Sequence, residues 1–202
     1  MKNNMSGVGV ALVTPFDREG AVDFKALEAL VEHVIRGGVD YLVVLGTTAE
    51  TATLTGAEKA AVVECITAAN KGRVPMIIGI GGNNTAAVEE QIHAFDFSAF
   101  DALLSVTPYY NKPSQEGMYQ HYKKIAAVSP VPVVLYNVPG RTGVNLLPQT
   151  VLRLASEVDN IAAIKEASGS LSQAAYILRD RPEGFRVISG DDNMTLPIIA
   201  LG

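Results

Sequence analysis

The chain has 202 residues, 48% of them apolar and 18% charged, with a formal net charge of −5. That balance favours a well-buried globular α/β protein and excludes a disordered chain. The 16 Lys and Arg are dispersed, so no basic face can hold a phosphate backbone and nucleic acid is not expected as a partner.

The N-terminus, "MKNNMSGVGVALVTPF", has one basic residue and then an apolar run of about seven, too short and wrongly flanked for a signal peptide. No run of about 18 apolar residues follows, so no membrane span is expected. The single cysteine, Cys65, permits no internal disulfide and reads as a small buried apolar residue in a reducing, cytoplasmic compartment.

In chain order, the first predicted strand is "VGVALVT", 8–14. A helix follows, with apolar residues at Phe24, Leu27, Leu30, Val31, Val34 and Ile35, and stops at Gly37-Gly38. "DYLVVLG", 40–46, is the second strand, leading into Thr47 and Thr48; Thr55 and Glu58 then have capping-box spacing and open the second helix. "PMIIGIG", 75–81, runs into the glycine cluster "GIGGNN", which lacks the phosphate-binding spacings and reads as a tight strand-to-helix turn. Further apolar strands are "DALLSVT" 101–107, "PVVLYN" 132–137, "IAAIKE" 161–166 and "RVISGD" 186–191, after which Asp191-Asp192 open a helix by capping and dipole.

Strand ends recur roughly every 25 to 35 residues, one βα unit each, which makes seven units. Strict βα alternation with apolar strands means a parallel sheet, either doubly wound or closed into a barrel. Nearly every strand carries polar residues at its C-terminal end: Thr14, then Thr47, Thr48 and Glu50, Asn83, Thr107 with Tyr109 and Tyr110, Tyr136 with Asn137, Lys165, and Asp191 with Asp192. An open sheet would gather them at one switch point, whereas a barrel gathers every strand end around one mouth, so the pattern favours the barrel.

Lys165 ends an apolar run. It is either a lysine reaching out to solvent or an amine held out of water, where desolvation and a neighbouring cation would lower its pKa and make it a nucleophile toward a ketone. Tyr136 is either a core tyrosine bonded at the rim or a proton shuttle beside such an amine. Arg141, between Gly140 and Gly143 on a turn, is a surface arginine or a fork for a carboxylate. Thr47 and Thr48 are turn residues or donors to a small carboxylate. His33, His93 and His121 are isolated, and no metal site is expected.

Taken in order, "GTTAET", "TPYYNKPSQEG", "YNVPGRTG" and "IKEASG" make the chain resemble the dihydrodipicolinate synthase family, from about Val8 to the last residue. That family belongs with the pyruvate-dependent class I aldolases related to N-acetylneuraminate lyase. The resemblance implies a (β/α)8 TIM barrel, here truncated after its seventh unit, with residues 1–202 forming an incomplete catalytic domain that lacks the eighth unit and a C-terminal helical domain. A length near 250 residues is usual for such a barrel, which supports the same expectation.

By the same resemblance Lys165 forms a Schiff base with pyruvate and Tyr136 moves protons beside it. Thr48 links Tyr136 to Tyr110, which in the family reaches across a dimer interface. Thr47 and Thr48 hold the pyruvate carboxylate, Arg141 receives the carboxylate of L-aspartate 4-semialdehyde, and Gly190 joins the substrate-binding set. The implied reaction is the lyase-type condensation to 4-hydroxy-tetrahydrodipicolinate on the diaminopimelate route to lysine. It needs no cofactor beyond the imine, and is carried out by a cytoplasmic homotetramer built from dimers. Ala49 and Thr51 depart from the glycine and serine common in that loop, leaving Thr47 and Thr48 in place. A sugar-acid lyase of the same superfamily would share the lysine and tyrosine but not the arginine turn, and a non-catalytic binding fragment is the rival from a different class.

Overall fold

The computed structural model describes residues 5–202. They divide into two compact units, one running to Gly79 and including Asp96–Ala102, the other formed by Ile80–Phe95 and Leu103–Gly202.

The first unit contains β1 (Gly9–Ala11), α1 (Phe24–Arg36), β2 (Tyr41–Val44), a 3-10 turn (Thr47–Ala49), α2 (Gly56–Asn70) and β3 (Met76–Gly79). β2 lies between β1 and β3, all parallel, with Gly9 opposite Tyr41 and Leu42 opposite Met76. Parallel neighbours require a crossover, and α1 and α2 supply it. The Asp23 carboxylate accepts the Ala26 N–H at 2.9 Å and starts α1. Leu27 and Val31 on its inner face are fully buried, each worth about 1.5–3 kcal/mol. The predicted capping box is formed: Glu58 N–H donates to Thr55 Oγ1 at 3.2 Å and Thr55 N–H to Glu58 Oε2 at 2.8 Å. The glycine cluster has a packing cause as well as a turning one, because a Cβ on Gly79 would run into the Leu45 carbonyl.

The second unit contains α3 (Thr85–Ala94), β4 (Ala102–Val106, entering the unit at Leu103), α4 (Gln115–Val128), β5 (Val133–Asn137), α5 (Pro139–Thr142), α6 (Pro148–Glu157), β6 (Ile161–Glu166), α7 (Leu171–Asp180), β7 (Arg186–Ser189) and α8 (Asp192–Ala200). Its strands are parallel in the order β4-β5-β6-β7. The register sets Tyr136 opposite Lys165 and Asn137 opposite Glu166. Since successive side chains point to opposite faces, Tyr136 and Lys165 share one face and Asn137 and Glu166 the other.

The α/β class and the strand positions agree with the sequence, with four differences. All strands except β6 are shorter than the apolar runs that announced them. β1 and β7, expected to be buried, are half-buried along their length, each having a strand neighbour on one side. Cys65 is half-buried, with Sγ 3.7 Å from the Phe24 carbonyl, because Val62 and Ile66 occupy the inner stripe of α2. Asp191 stands at the N-cap of α8 but its side chain makes no capping bond. Its carbonyl instead accepts the hydroxyls of Ser189 and Thr195, both at 3.1 Å. Among the described residues, no helix is long and apolar enough to cross a membrane.

Candidate active site

Two of the candidate residues, Lys165 and Tyr136, meet at the C-terminal ends of β5 and β6. Lys165 Nζ stands over the ring of Tyr136, 4.6 Å from its centroid. Tyr136 is buried and Lys165 half-buried, so the amine lies against a buried aromatic ring. Burial pushes the Lys165 amine below the ordinary lysine range, and the Asp192 carboxylate partly opposes this. No cation contributes to the lowering, contrary to the expectation from sequence; desolvation alone carries it.

Gly190, just past β7, closes the site behind the lysine. A Cβ there would lie 2.8 Å from Lys165 Cε and 2.9 Å from Cγ, closer than side chains tolerate. Its N–H is already engaged by the Glu166 carbonyl at 2.8 Å. Gly190 therefore touches the lysine stem, and its amide is occupied by the chain itself.

Arg141 sits on α5, a single helical turn entered by Pro139 and closed by Gly143, where sequence suggested only a loop turn. It is exposed, and among the described residues no side chain forms a hydrogen bond or ion pair with it. Its charge is available to an incoming anion.

Tyr110 is 88% exposed and holds a left-handed backbone, φ 71°. Its loop is tethered: Asn83 Nδ2 donates to the Tyr109 carbonyl at 3.1 Å, and Asn111 Nδ2 returns a bond to the Asn83 carbonyl at 3.0 Å. A strained, anchored and outward-facing aromatic is a costly arrangement for a surface loop.

Thr47 and Thr48 belong to the first unit, on the 3-10 turn after β2, and both are exposed. Leu45 before the turn and Glu50 after it are left-handed, φ 53° and 55°. Thr14 Oγ1 pins the turn from below by donating to the Ala49 carbonyl at 2.8 Å. The first amides of a helical turn have no partner within it, so hydroxyls and N–H groups are presented together. Of the predicted residues, the structure thus brings Lys165, Tyr136 and Gly190 into contact. Arg141 follows the same strand as Tyr136, Tyr110 follows β4, and the threonines have their own turn.

Reading the sequence missed the polar cluster on the opposite face of the same strand ends. Glu166, 2% exposed, accepts from Ser168 N–H at 2.7 Å, Gln173 Nε2 at 3.0 Å and Asn137 Nδ2 at 3.2 Å. Asn145 bonds both Asn137 and Gln173. The signal was present as the "YN" and "KE" pairs, since period-two alternation sends the second member of each to the other face. Among the described residues, no group of three or more His, Cys, Asp or Glu could hold a metal ion.

Residues 4–202 match the model of the Dihydrodipicolinate synthetase family. The 4-hydroxy-tetrahydrodipicolinate synthase of Flavobacterium psychrophilum is 58% identical, over 97% of this chain and 67% of its own length. The crystal structure of a dihydrodipicolinate synthase from Bacillus anthracis superposes with a TM-score of 0.94 at 44% identity, covering 99% of this chain and 68% of that one. A structure described as the first monomeric dihydrodipicolinate synthase variant gives 0.93 at 40% identity, covering 97% of this chain and 66% of that one. The chain therefore spans about two thirds of the length of the relatives it matches. With the family model matching nearly the whole chain and a relative 58% identical over 97% of it, the chain belongs to the dihydrodipicolinate synthetase family.

Proposed function

We propose that the chain carries the catalytic chemistry of 4-hydroxy-tetrahydrodipicolinate synthase, condensing pyruvate with L-aspartate 4-semialdehyde through an imine on Lys165. The observation that carries this reading is the half-buried Lys165 amine over the Tyr136 ring, its pKa lowered by burial. A neutral amine attacks the ketone carbon of pyruvate. The carbinolamine oxygen then leaves as water once protonated, and the nitrogen keeps its bond to carbon as the imine. The Tyr136 phenol is the group beside the amine that can pass those protons. Loss of a methyl proton from the imine gives an enamine, whose carbon adds to the aldehyde as the aldehyde oxygen takes up a proton. Attack of the adduct's own amino group on the imine carbon then closes the ring and expels the Lys165 nitrogen as the free amine.

In this reading Thr47 and Thr48 hold the pyruvate carboxylate, and Thr48 relays protons between Tyr136 and Tyr110. The exposed Arg141 receives the carboxylate of the aldehyde substrate. Gly190 leaves room for the lysine and the bound substrate. The imine replaces any cofactor. The seven βα units are read as units of a (β/α)8 barrel, and the enzyme as a cytoplasmic homotetramer of dimers, with the monomeric relative marking the alternative assembly.

Incubation with pyruvate and borohydride, followed by peptide mass spectrometry, tests the reading. A reduced pyruvate adduct on the peptide containing Lys165, absent from Lys165→Ala and Lys165→Arg, is the expected result. Equal labelling of either variant, or no adduct with the parent chain, overturns it.

A further inference from the structure

A carboxylate buried without a cation demands an explanation, because removing such a charge from water costs several kcal/mol unless hydrogen bonds replace the lost hydration. Glu166 is in that position, and among the described residues no Lys, Arg or His forms an ion pair with it. Three neutral donors surround its two oxygens instead: the Ser168 amide, the Gln173 amide and the Asn137 amide.

Each donor belongs to a different piece of the second unit. Ser168 begins the turn after β6, Gln173 lies in the first turn of α7, and Asn137 ends β5. Asn137 extends the connection, since its Oδ1 accepts Leu146 N–H at 2.9 Å and its Nδ2 donates to Asn145 Oδ1 at 2.8 Å. Gln173 and Asn145 then bond each other in both directions, at 2.9 and 3.2 Å. On the main chain, Ala167 N–H donates to the Asn137 carbonyl at 2.9 Å and Gly190 N–H to the Glu166 carbonyl at 2.8 Å. The last residue of β6 is thereby fixed to β5, to α7 and to the segment behind the lysine.

We propose that Glu166 is the positioning residue of this site, holding the ends of β5 and β6 in register so that the Lys165 amine stays over the Tyr136 ring. Lys165 is one residue from Glu166 and Tyr136 one residue from Asn137, both on the opposite face, so a twist or slip at Glu166 or Asn137 is transmitted directly to them. Donor and acceptor roles in the cluster are directional. An amide at 166 would turn its own donors either toward the Ser168 N–H or toward the Gln173 and Asn137 donors, and in both orientations the cluster would have to open. The inference rests on the proposed imine chemistry of Lys165, but its geometry can be read without it.

The test compares the parent chain, Glu166→Gln, and the swap Glu166→Gln with Gln173→Glu, which restores a donor facing an acceptor. Two quantities are read: the rate and half-saturating pyruvate concentration of borohydride trapping, and the pH midpoint of reductive methylation at Lys165, which needs no substrate. Glu166→Gln should slow trapping by about tenfold to a hundredfold, the range for a misplacement of about 1 Å, while half-saturation moves much less. The methylation midpoint should rise toward that of an exposed lysine, and the swap should bring both quantities most of the way back. An unchanged rate and midpoint in Glu166→Gln, or a swap no better than the single variant, overturns the proposal. If the parent chain traps no pyruvate, the imine reading fails, and the methylation midpoints still decide the positioning role. Should Glu166→Gln lack a cooperative urea transition, Gln173→Leu removes one donor while keeping the carboxylate. It is expected to raise the methylation midpoint, and no rise overturns the proposal.

Discussion

Lys165 and Tyr136 face each other across the β5–β6 register, amine over ring at 4.6 Å. A cation over an aromatic face is attracted to it, which favours the ammonium form, whereas burial favours the free amine. Burial pushes the Lys165 amine below the ordinary lysine range, with the Asp192 carboxylate opposing it. Tyr136→Phe keeps the ring and removes only the phenol. Imine formation should slow by about 10² to 10⁴-fold, the usual worth of a placed acid–base group, with the urea midpoint little changed. A trapping rate within twofold of the parent would remove Tyr136 from the proton path.

The same amine makes a pH prediction for stability. A base whose folded pKa lies below its unfolded value binds fewer protons when folded, so stability rises with pH between the two values. Lys165→Met should be relatively more stable than the parent below that alkaline window and lose the advantage as pH rises through it toward 10.5. Urea unfolding of both proteins on each side of the window measures the difference; parallel stability curves would show that the lysine is not desolvated.

Gly190→Ala puts a methyl where the lysine stem now passes. The stem must move, so trapping by pyruvate should fall at least about tenfold, and the methylation midpoint of Lys165 should shift with it. Wild-type behaviour of this variant would mean that the lysine stem is loosely packed against position 190.

Arg141→Ala should affect the second substrate more than the first. Hydrogen bonds to charged groups contribute about 1.5–3 kcal/mol, so kcat/KM for the semialdehyde should drop about 10- to 100-fold while pyruvate trapping stays near the parent rate. A collapse of trapping with an unchanged response to the aldehyde would reverse the assignment.

His121 in α4 is 3% exposed; its Nδ1 lies 2.8 Å from Thr85 Oγ1 and its Nε2 has no hydrogen-bond partner among the described residues. Burial pushes its pKa down to about 4 from 6.5. The unfolded chain therefore takes up a proton below 6.5 that the folded chain refuses until about 4, and stability is lost as pH falls through that window. The loss is on the order of 3 kcal/mol at most. In His121→Leu the drop in urea midpoint between neutral pH and the bottom of the window should be clearly smaller than in the parent. Equal slopes would mean the imidazole is already charged when folded.

Local chemistry was legible without the structure. Thr55 and Glu58 form their box because both partners lie within one helical turn, and β6 occupies the very span of its apolar run. The site residues could be read as candidates because each lies at the end of an apolar strand or in the segment after it. What could not be read depends on register. Asn137 and Glu166 are 29 positions apart, and they meet only because β5 and β6 pair without an offset at that point. Gln173 was hidden by its context: Ser170 three residues before it has capping-box spacing, yet the Gln173 amide turns inward to Glu166. Asp191 failed in the opposite sense, since a favourable cap residue does not guarantee a capping bond.

Tyr110 carries a consequence for engineering and evolution. A tyrosine in the left-handed region costs about 1–2 kcal/mol that glycine would not incur. A library screened for heat resistance alone would therefore enrich glycine at position 110, and with it the loss of the most exposed aromatic side chain in the chain. Selection under lysine starvation would push the same position the other way if the phenol serves the reaction. Opposite enrichment in the two screens is how a trade-off between robustness and fitness would be recorded at a single codon.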